Sequence, residues 1–288
     1  MPDGVVFLTG ATGYVGGRLL AALRGRGATL RALTRDAARL DSQDVDVVEG
    51  DVTDTELLRD ALEGISVAYY LVHSLGADDF GALDREAARS FASAAAGAGV
   101  GRIVYLGGLG RGELSPHLES RQEVGRILRE SGVPTIELRA SVVIGRGSVS
   151  YDAFRVLASL PLTVLPDWID TMSQPIAVDD VVEYLLAAGE IAVDDSAVYE
   201  IGGAEAVPYR AVLQELGATV AALPTPAAAA TLATLLKPLQ PERARVVSDL
   251  LDSLRFDTSV HDDAALREFD VRPMRLSDAV ASAEDSGR

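Results

Sequence analysis

The chain contains no cysteine and only three histidines among its 288 residues. Without cysteine there can be no disulfide, no thiolate metal site and no cysteine nucleophile. His73, His117 and His261 lie far apart in the sequence, unlike the closely spaced ligands of many histidine metal sites. We therefore expect no bound metal.

Long apolar runs are also absent. No run reaches the roughly 18 residues that a membrane-spanning helix needs. A strand pattern starts within a few residues of the N-terminus, which leaves no room for a signal peptide. We therefore expect a cytoplasmic protein with no membrane span. With 48% hydrophobic residues, the chain can bury one large core, or a core and a small second lobe.

Positive charge is scarce, because 43 acidic residues oppose 26 basic ones and the net charge is −17. Such a surface repels nucleic acid and anionic membranes, so we expect a small-molecule partner and no nucleic acid. The acidic residues are spread along the chain, which favours a solvated surface over an acidic docking patch. A salt-adapted or high-GC source would explain this composition.

The start of the chain carries the most informative motif. Val5-Val6-Phe7-Leu8 has the character of a buried strand, and three glycines follow at a G-x-x-G-x-x-G spacing. An apolar helical pattern begins directly afterwards, at Val15. A strand that turns sharply into a helix presents free N–H groups at the positive end of the helix dipole, where a pyrophosphate binds. The motif predicts dinucleotide binding. The alternative is a structural glycine turn in another kind of α/β protein.

Each glycine of this motif has a distinct predicted role. Gly10 permits the tight turn, Gly13 lets phosphate approach the backbone, and Gly16 lets the helix pack close to the strand. The predicted cofactor cradle comprises Gly10, Thr12, Gly13, Tyr14, Val15 and Gly16.

Strand and helix patterns alternate through the first half of the chain. Strands are predicted near residues 4–9, 29–34, 45–49, 66–72, 102–107 and 135–144, and helices near 14–26, 54–62, 79–98 and 116–131. This rhythm is typical of βαβ units and of a parallel sheet with helices on both faces. We predict a Rossmann-type, doubly wound α/β fold with a small, mostly helical C-terminal lobe.

The alternation changes after residue 146. We expect residues 1–146 to form the dinucleotide-binding core, completed by residues 176–203. In that second stretch Asp179 or Asp180 would cap a helix that ends at Ala188, and Val198–Ile201 would form a strand. Residues 147–175 and 204–288 would form the small lobe on the substrate side, with helical segments punctuated by prolines.

The end of the second predicted strand bears on the choice of nucleotide. Proteins that prefer NAD place a carboxylate there, about 20 residues after the glycine loop, to bind the ribose 2′-hydroxyl. Here the strand ends in Arg35, whose guanidinium can pair with a 2′-phosphate. We therefore predict NADP(H) in preference to NAD(H). The adjacent carboxylate of Asp36 leaves NAD(H) as an alternative cofactor, and Arg35 could also be an ordinary surface arginine. Asp51 and Val52 follow the third strand and would approach the adenine, although Asp51 could equally cap the next helix.

Several segments resemble a known family, the atypical extended short-chain dehydrogenase/reductases. The resemblance rests on Thr9–Gly16, Gly50–Asp54, Tyr70–Ser74, Tyr105–Gly110, Leu138–Gly145, Gln174–Val181 and Ile201–Gly203. It covers nearly the whole chain and is strongest to uncharacterised NAD(P)-binding proteins often labelled sugar-nucleotide epimerases. Relatives include nitrogen-metabolite-repressor-like regulators and a structural subunit of respiratory complex I.

The family's catalytic motif is altered here. Active members use a tyrosine as proton donor and a lysine four residues later, with a serine upstream. At the matching positions this chain has His117 and Arg121, and the fifth strand ends in Gly107-Gly108 where the family has serines. The only lysine is Lys237, so no Tyr-x-x-x-Lys pair exists. The departure puts the family's chemistry in doubt but leaves its cofactor binding intact.

His117 and Arg121 are the predicted catalytic residues. Ser115 as N-cap and Pro116 in the first turn mark the start of a helix, so residues 117 and 121 share one of its faces. His117 could donate a proton to a carbonyl oxygen while Arg121 fixes the ribose or stabilises negative charge. Two observations weigh against this reading: a helix N-terminus disfavours imidazolium, and His117 could be an ordinary polar residue in an exposed first turn.

Further cofactor contacts are predicted at three other strand ends, one of them Gly107-Gly108 at the end of the fifth strand. Leu71 and Val72 end the fourth strand and His73 follows it, where contact with the cofactor is favoured over catalysis for His73. Ser141 and Val142 end the sixth strand and match the family segment beside the nicotinamide carboxamide, with strand-end packing as the alternative. Tyr151 has a phenol, but core packing is its favoured use.

Three functions are compatible with these residues. The first is an NADP(H)-dependent oxidoreductase that transfers hydride to a small carbonyl or enone substrate. The apolar character of residues 211–241, which include no arginine, favours a hydrophobic substrate over a sugar nucleotide. The second is a protein that holds NADP(H) without turnover, as a sensor or assembly subunit. The third is a sugar-nucleotide epimerase or dehydratase. A homodimer is compatible with the sequence but not required by it.

Overall fold

A parallel sheet of seven strands forms the centre of the molecule. The computed structural model describes residues 4–74, 79–159, 163–191, 194–223 and 253–285. The strands lie in the order β11-β6-β5-β4-β1-β2-β3, and every neighbouring pair is parallel. Their bounds are β1 Val5–Thr9, β2 Thr29–Thr34, β3 Val45–Glu49, β4 Ile65–Tyr70, β5 Arg102–Gly108, β6 Thr135–Ala140 and β11 Ala197–Ile201. The predicted doubly wound Rossmann-type fold is confirmed.

Helices cover both faces of this sheet. They are α1 Tyr14–Gly25, α2 Thr55–Ala61, α3 Phe80–Ala98, α4 Pro116–Arg129 and α6 Val178–Glu190. One apolar cluster joins α1 and α6 to the sheet, and a second joins α2, α3 and α4 to the opposite face. The strands are rich in Val, Ile, Leu and Tyr because both of their faces are buried.

Local signals in the sequence set the helix ends. The Asp54 carboxylate accepts the N–H of Leu57 at the start of α2, and the Asp79 carboxylate accepts the N–H of Ala82 at the start of α3. Helix α3 ends at Gly99, whose φ of 69° is the left-handed conformation that glycine adopts without strain. The predicted helix bounds therefore agree with the structure to within two residues.

The connections place a cleft in the middle of the sheet. From β1 the chain proceeds through β2 and β3 towards one edge, then returns to β4 on the other side of β1 and proceeds outwards. The C-terminal ends of β1 and β4 therefore lie at the point where the strand order reverses. Ligands of doubly wound folds bind at this point.

A smaller set of elements packs beyond the ends of the strands. Its helices are α5 Val149–Ala158, α7 Tyr209–Glu215 and α9 Leu276–Asp285, and its short strands are β7 Val143–Ile144, β8 Thr163–Pro166, β9 Met172–Ser173, β10 Ile176–Ala177, β12 Val207–Pro208 and β13 Val220–Leu223. Helix α8 Ala264–Glu268 instead belongs to the apolar cluster of α1 and α6 on the central sheet. Helices α5, α7 and α9 share a third apolar cluster. The short strand pairs β7–β10, β8–β13 and β9–β12 are not anticipated by the pattern of the sequence. The division into a core and a substrate-side lobe stays a prediction.

Two local predictions are wrong. The strand expected over 135–144 stops at Ala140, and β7 pairs with β10 instead of continuing along β5. Helix α6 begins at Val178 with Ala177 as its N-cap, so neither Asp179 nor Asp180 caps it. The Asp180 carboxylate instead accepts the N–H of Met274 at 2.8 Å, which ties α6 to the segment before α9.

The helices predicted within residues 224–252 lie outside the described residues. Within the ranges that the structure describes, no helix has both the length and the apolar character needed to cross a bilayer.

Candidate functional site

A cavity of about 310 Å³ opens at the C-terminal ends of β1, β4, β5 and β6. Most of the predicted site residues line it: Gly10, Gly13, Tyr14, Val15, Gly16, Leu71, His73, Gly107, Gly108, His117, Arg121, Ser141 and Val142. Other predicted residues do not line this cavity: Thr12, Arg35, Asp51, Val52 and Val72. The structure therefore brings together residues from four strand ends that are distant in sequence, and their individual roles stay predictions.

The glycine loop forms the tightest part of this cavity. Gly10 has a φ of 72°, and a Cβ on it would lie 2.6 Å from the carbonyl oxygen of Leu71 at the end of β4. A Cβ on Gly16 would overlap the Gly10 carbonyl oxygen. The N-cap of α1 is Gly13, so no side chain satisfies the first N–H groups of the helix. These features fit a dinucleotide. Backbone N–H groups and the positive end of the helix dipole are available to bind a pyrophosphate, and no side chain of the loop blocks its approach.

Tyr14 closes one side of the loop. Its ring lies against Gly145 and Gly147, where a Cβ on Gly145 would overlap the phenol oxygen. Burial raises the pKa of Tyr14 to about 12. The guanidinium carbon of Arg18 lies 4.1 Å from the centre of the ring. The Arg18 guanidinium also donates to the carbonyl oxygens of Tyr14 and Arg146, at 3.3 and 3.5 Å.

Arg35 and Asp36 follow β2, beyond the cavity. Both side chains are exposed. The Asp36 carboxylate accepts the N–H of Ala38 at 3.1 Å and caps a short 3-10 helix. Within the ranges that the structure describes, no side-chain hydrogen bond or ion pair is found for Arg35. Of the two, the arginine is therefore the group more available to a ligand.

Asp51 occupies a turn after β3. Its carboxylate accepts the N–H and the hydroxyl of Thr53, at 3.0 and 2.7 Å, and these bonds lower its pKa. The alternative in which Asp51 caps the next helix is wrong, because Asp54 is the N-cap of α2.

The start of α4 delivers two predicted catalytic side chains to the opposite end of the cavity. The Ser115 hydroxyl accepts the N–H of Leu118 at 3.2 Å and Pro116 begins the helix, as expected. His117 and Arg121, one turn apart, both line the cavity and are joined there by His73 from the end of β4.

Both histidines of this end are neutral at pH 7. Burial, and next the charge of Arg121, lower the pKa of His117 to about 3. The same two causes lower the pKa of His73 to about 4, although its side chain borders open space in the cavity. An imidazolium is therefore scarce here near neutral pH, and His117 acts chiefly as a neutral hydrogen-bonding group.

Contacts on both sides hold Arg121 in place. Its guanidinium donates to the carbonyl oxygen of Leu106 in β5 and lies 5.3 Å from the centre of the Tyr105 ring. The Tyr105 hydroxyl donates to the Arg121 carbonyl oxygen at 2.8 Å.

The end of β5 requires a small residue beside α4. A Cβ on Gly108 would lie 2.8 Å from the Leu118 side chain. Glycine at this strand end therefore lets α4 approach the sheet closely.

Ser141 lies at the break between β6 and β7 and belongs to a group of three hydroxyls. Ser141 and Thr258 share a hydrogen bond of 2.8 Å, and Thr258 and Tyr209 share one of 2.6 Å. All three residues are buried and line the cavity. Sequence reasoning missed Tyr209 and Thr258, because no local motif marks two residues that only tertiary folding brings to Ser141.

Tyr151, in contrast, is fully buried, and its hydroxyl donates to Glu284 at 3.2 Å. Its favoured use in core packing is confirmed.

Part of the cavity wall is apolar. It is formed by Leu109, Leu118, Val142, Val149, Ala153, Phe154, Leu157 and Leu254. The cavity thus combines a loop suited to phosphate, a polar group of two histidines and an arginine, and an apolar wall.

Comparison with known proteins identifies the nucleotide-binding part. Residues 10–142 match a protein family described as NAD(P)H-binding. The chain carries an NAD(P)H-binding domain. The domain agrees with the resemblance to extended short-chain dehydrogenase/reductases that the motifs indicate. The matched region begins in the glycine loop after β1 and ends beside Ser141 after β6, so it includes both the cradle and the strand ends around the cavity.

Relatives of known name share the sequence or the fold. Over 126 residues the chain is 33% identical to sterol demethylase protein B of Methylococcus capsulatus, a match that covers 40% of this chain and 38% of that relative. The chain thus aligns with well under half of the curated relative. Triphenylmethane reductase of Citrobacter sp., solved with NADP(H), is 18% identical with a TM-score of 0.78 and coverage of 97% and 99%. MoeE5, solved with UDP-glucose and NAD, is 19% identical with a TM-score of 0.75 and coverage of 99% of both chains. The two structures show a shared fold.

Proposed function

We propose that the protein is an NADP(H)-dependent oxidoreductase that delivers hydride to a small, hydrophobic carbonyl or enone substrate. One observation carries the proposal: the glycine loop of the NAD(P)H-binding domain, His117 and Arg121, and apolar side chains such as Phe154 and Leu254 line a single cavity. An apolar pocket with a few convergent polar groups is typical of small-molecule sites.

The preference for NADP(H) over NAD(H) rests on Arg35. Its exposed guanidinium follows β2, the position from which a side chain reaches the adenine ribose in this fold. The neighbouring carboxylate of Asp36 is engaged with a backbone N–H. A bidentate arginine–phosphate pair would favour the 2′-phosphate form.

His117 and Arg121 would assist hydride transfer electrostatically. Bound NADPH supplies the hydride. His117, neutral at pH 7 because its pKa is about 3, would donate a hydrogen bond to the substrate carbonyl oxygen, as a neutral imidazole can. Arg121 would place positive charge near the oxygen as negative charge develops on it. The proton that completes the reduction would then come from solvent.

Two relatives are compatible with a hydrophobic substrate. The name of one curated relative refers to sterols, and one solved structure is a reductase of triphenylmethane dyes. Both kinds of molecule are largely apolar. MoeE5, in contrast, holds UDP-glucose in the same fold, which keeps the sugar-nucleotide alternative as a third candidate.

A panel of carbonyl compounds tests the proposal. Purified protein is mixed with NADPH and with quinones, enals or ketones, and absorbance is followed at the nicotinamide band. We expect oxidation of NADPH with at least one hydrophobic member and a loss of about 10- to 100-fold in kcat for His117→Phe. His261→Phe is the matched control, because His261 lies outside the cavity, and it should retain the rate.

A second candidate function is the holding of NADP(H) without turnover. The absence of a Tyr-x-x-x-Lys pair favours it, since Lys237 is the only lysine. Tight binding of NADPH with no oxidation across the whole panel would support this candidate and contradict the oxidoreductase.

A further inference from the structure

Three buried hydroxyls from separate parts of the chain meet at the cavity wall. Ser141 follows β6, Tyr209 begins α7, and Thr258 belongs to the segment before α8. Their exposed fractions are 9%, 1% and 5%. The hydroxyls form a chain in the order Ser141, Thr258, Tyr209, with spacings of 2.8 and 2.6 Å.

Backbone contacts hold Ser141 and Thr258 in place. Ser141 Oγ accepts the N–H of Gln174 at 3.3 Å. The N–H of Thr258 donates to the Met172 carbonyl oxygen at 3.1 Å. The chain of hydroxyls is therefore anchored to the segment around β9, and its position depends little on side-chain freedom.

A count of protons shows what this chain offers a ligand. Three hydroxyls carry three protons, while the two hydrogen bonds between them use two. Whichever way the bonds point, one O–H is left over. Within the ranges that the structure describes, these three hydroxyls donate no hydrogen bond to any other side chain or to a backbone carbonyl. A buried donor without a hydrogen bond costs free energy. The spare O–H would therefore be stabilised by an acceptor atom of a ligand in the cavity.

The surroundings of the hydroxyls are apolar. The Tyr209 ring stacks on Phe154, with centroids 6.5 Å apart and planes inclined by 17°. Phe154, Leu157 and Val142 line the same cavity. Burial raises the pKa of the Tyr209 phenol well above its usual range, which keeps it protonated and able to donate at all physiological pH values.

We propose that the hydroxyls of Ser141, Thr258 and Tyr209 act together as one hydrogen-bond donor to the oxygen of an otherwise apolar ketone, enone or quinone. They are positioning residues for the substrate carbonyl, and they select a molecule with one acceptor oxygen among apolar atoms. The inference rests on the proposed function for the carbonyl class of the substrate. No bond is made or broken in this step.

The test uses a ketone and a matched hydrocarbon. The protein is saturated with NADP⁺, which cannot deliver hydride, and titrated with 2-acetonaphthone labelled with ¹³C at the carbonyl, or with 2-isopropenylnaphthalene, of nearly the same shape. We expect the ketone to bind about 3- to 10-fold more tightly, the range of a net hydrogen bond of about 1 kcal/mol. The infrared carbonyl stretch of the bound ketone should lie below its value in hexane.

Removing all three hydroxyls should reduce this preference. In the triple variant Ser141→Ala/Thr258→Val/Tyr209→Phe we expect the two affinities to approach each other and the carbonyl stretch to move towards its hexane value, with any remaining shift due to His117 and Arg121. Replacing every partner of a polar group by apolar atoms of similar shape costs little stability. Tyr209→Phe alone leaves two hydroxyls that still carry one spare proton, so it should retain most of the preference. Tyr184→Phe, which removes a buried phenol outside the cavity, should change neither reading.

A hexane-like stretch in the wild-type protein, or a stretch in the triple variant as low as that of the wild type, would overturn the proposal. Should the triple variant lose affinity for the hydrocarbon as well, the ratio of the two affinities decides: an unaltered ratio overturns the proposal, and a fall in the preference for the ketone supports it. A protein that shows the carbonyl shift but never oxidises NADPH would retain this inference and lose the proposed oxidoreductase function.

Discussion

The carbonyl oxygen of Gly10 occupies the space where a Cβ on Gly16 would lie. The two glycines thus bring the end of β1 and the first turn of α1 closer together than any other residue at position 16 would allow. This close approach shapes the loop whose amides are directed at the expected pyrophosphate.

Substitution of Gly16 by alanine should therefore abolish NADPH binding. The added methyl group would push α1 away from the loop, and we expect at least a 10-fold rise in the Kd for NADPH, measured by the fluorescence of the bound nicotinamide. Gly25→Ala is the matched control, since nothing lies within 4 Å of its Cβ position at the other end of α1. An unaltered Kd in Gly16→Ala would show that the loop does not hold the cofactor.

Arg35→Ala should alter the choice between the two nucleotides. We expect the Kd for NADPH to rise by about 10-fold, equivalent to about 1.4 kcal/mol, while the Kd for NADH stays within about twofold. Arg89→Ala, which removes an exposed charge on α3, should leave both constants unchanged. An unchanged NADPH-to-NADH ratio in Arg35→Ala would remove the basis for the NADP(H) preference.

The low pKa of His117 predicts a pH dependence of stability. The pKa is about 3 in the folded protein and near 6.5 in an unfolded chain. Between these values the unfolded state binds the extra proton, so the free energy of unfolding falls as the pH decreases from 6.5 towards 3. The contribution is at most about 1.4 kcal/mol per pH unit.

Urea denaturation at several pH values measures this slope. In His117→Asn the slope between pH 4 and 6 should be shallower than in the wild-type protein. The exposed His261 provides the control, and His261→Asn should retain the wild-type slope. Equal slopes in all three proteins would mean that His117 is not buried in a neutral form.

The charge of Arg121 also acts on His117. Arg121→Met should raise the pKa of His117, because Arg121 is the second cause of its depression. The pKa should stay below 6.5, since burial is the larger cause and persists in the variant. Titration of the His117 ring proton signals by NMR measures the value, and a pKa unaffected by the substitution would contradict the position of the guanidinium.

A buried ion cluster beneath the cavity should matter for stability. Glu137 in β6 has no exposed surface and forms ion pairs with Arg129 and, at 2.7 Å, with Arg139. Glu137→Gln leaves two partly buried guanidinium groups without their carboxylate, so we expect a loss of about 3 kcal/mol in the free energy of unfolding. Glu130→Gln breaks an exposed pair with Arg126 and should cost less than about 0.5 kcal/mol. Similar losses in the two variants would contradict the burial of the cluster.

The strands and the cofactor loop could be predicted from the sequence because their signals are local. Apolar runs such as Val5–Leu8 can be buried on both faces only in a covered parallel sheet. The glycine spacing beside them leaves few backbone conformations at the start of α1. The helix start at Ser115 and Pro116 can be predicted in the same way, and the spacing places His117 and Arg121 on one face of that helix.

What could not be predicted depends on contacts between distant segments. Asp180 looks like a helix cap, yet its carboxylate accepts an N–H from Met274, far along the chain. The segment from Thr135 to Ile144 has the pattern of one long strand, but it breaks at Ser141 because β7 pairs with β10. Tyr209 and Thr258 carry no motif of their own, and only the packing of the smaller elements brings them to Ser141.

Calorimetric titration of the purified protein with NADPH tests the central claim most directly. We predict one saturable site per chain with a dissociation constant in the micromolar range or below, and no saturable binding in Gly16→Ala. If the folded wild-type protein shows no association with NADPH or NADH at millimolar concentrations, the claim that its glycine loop holds a pyridine dinucleotide is contradicted.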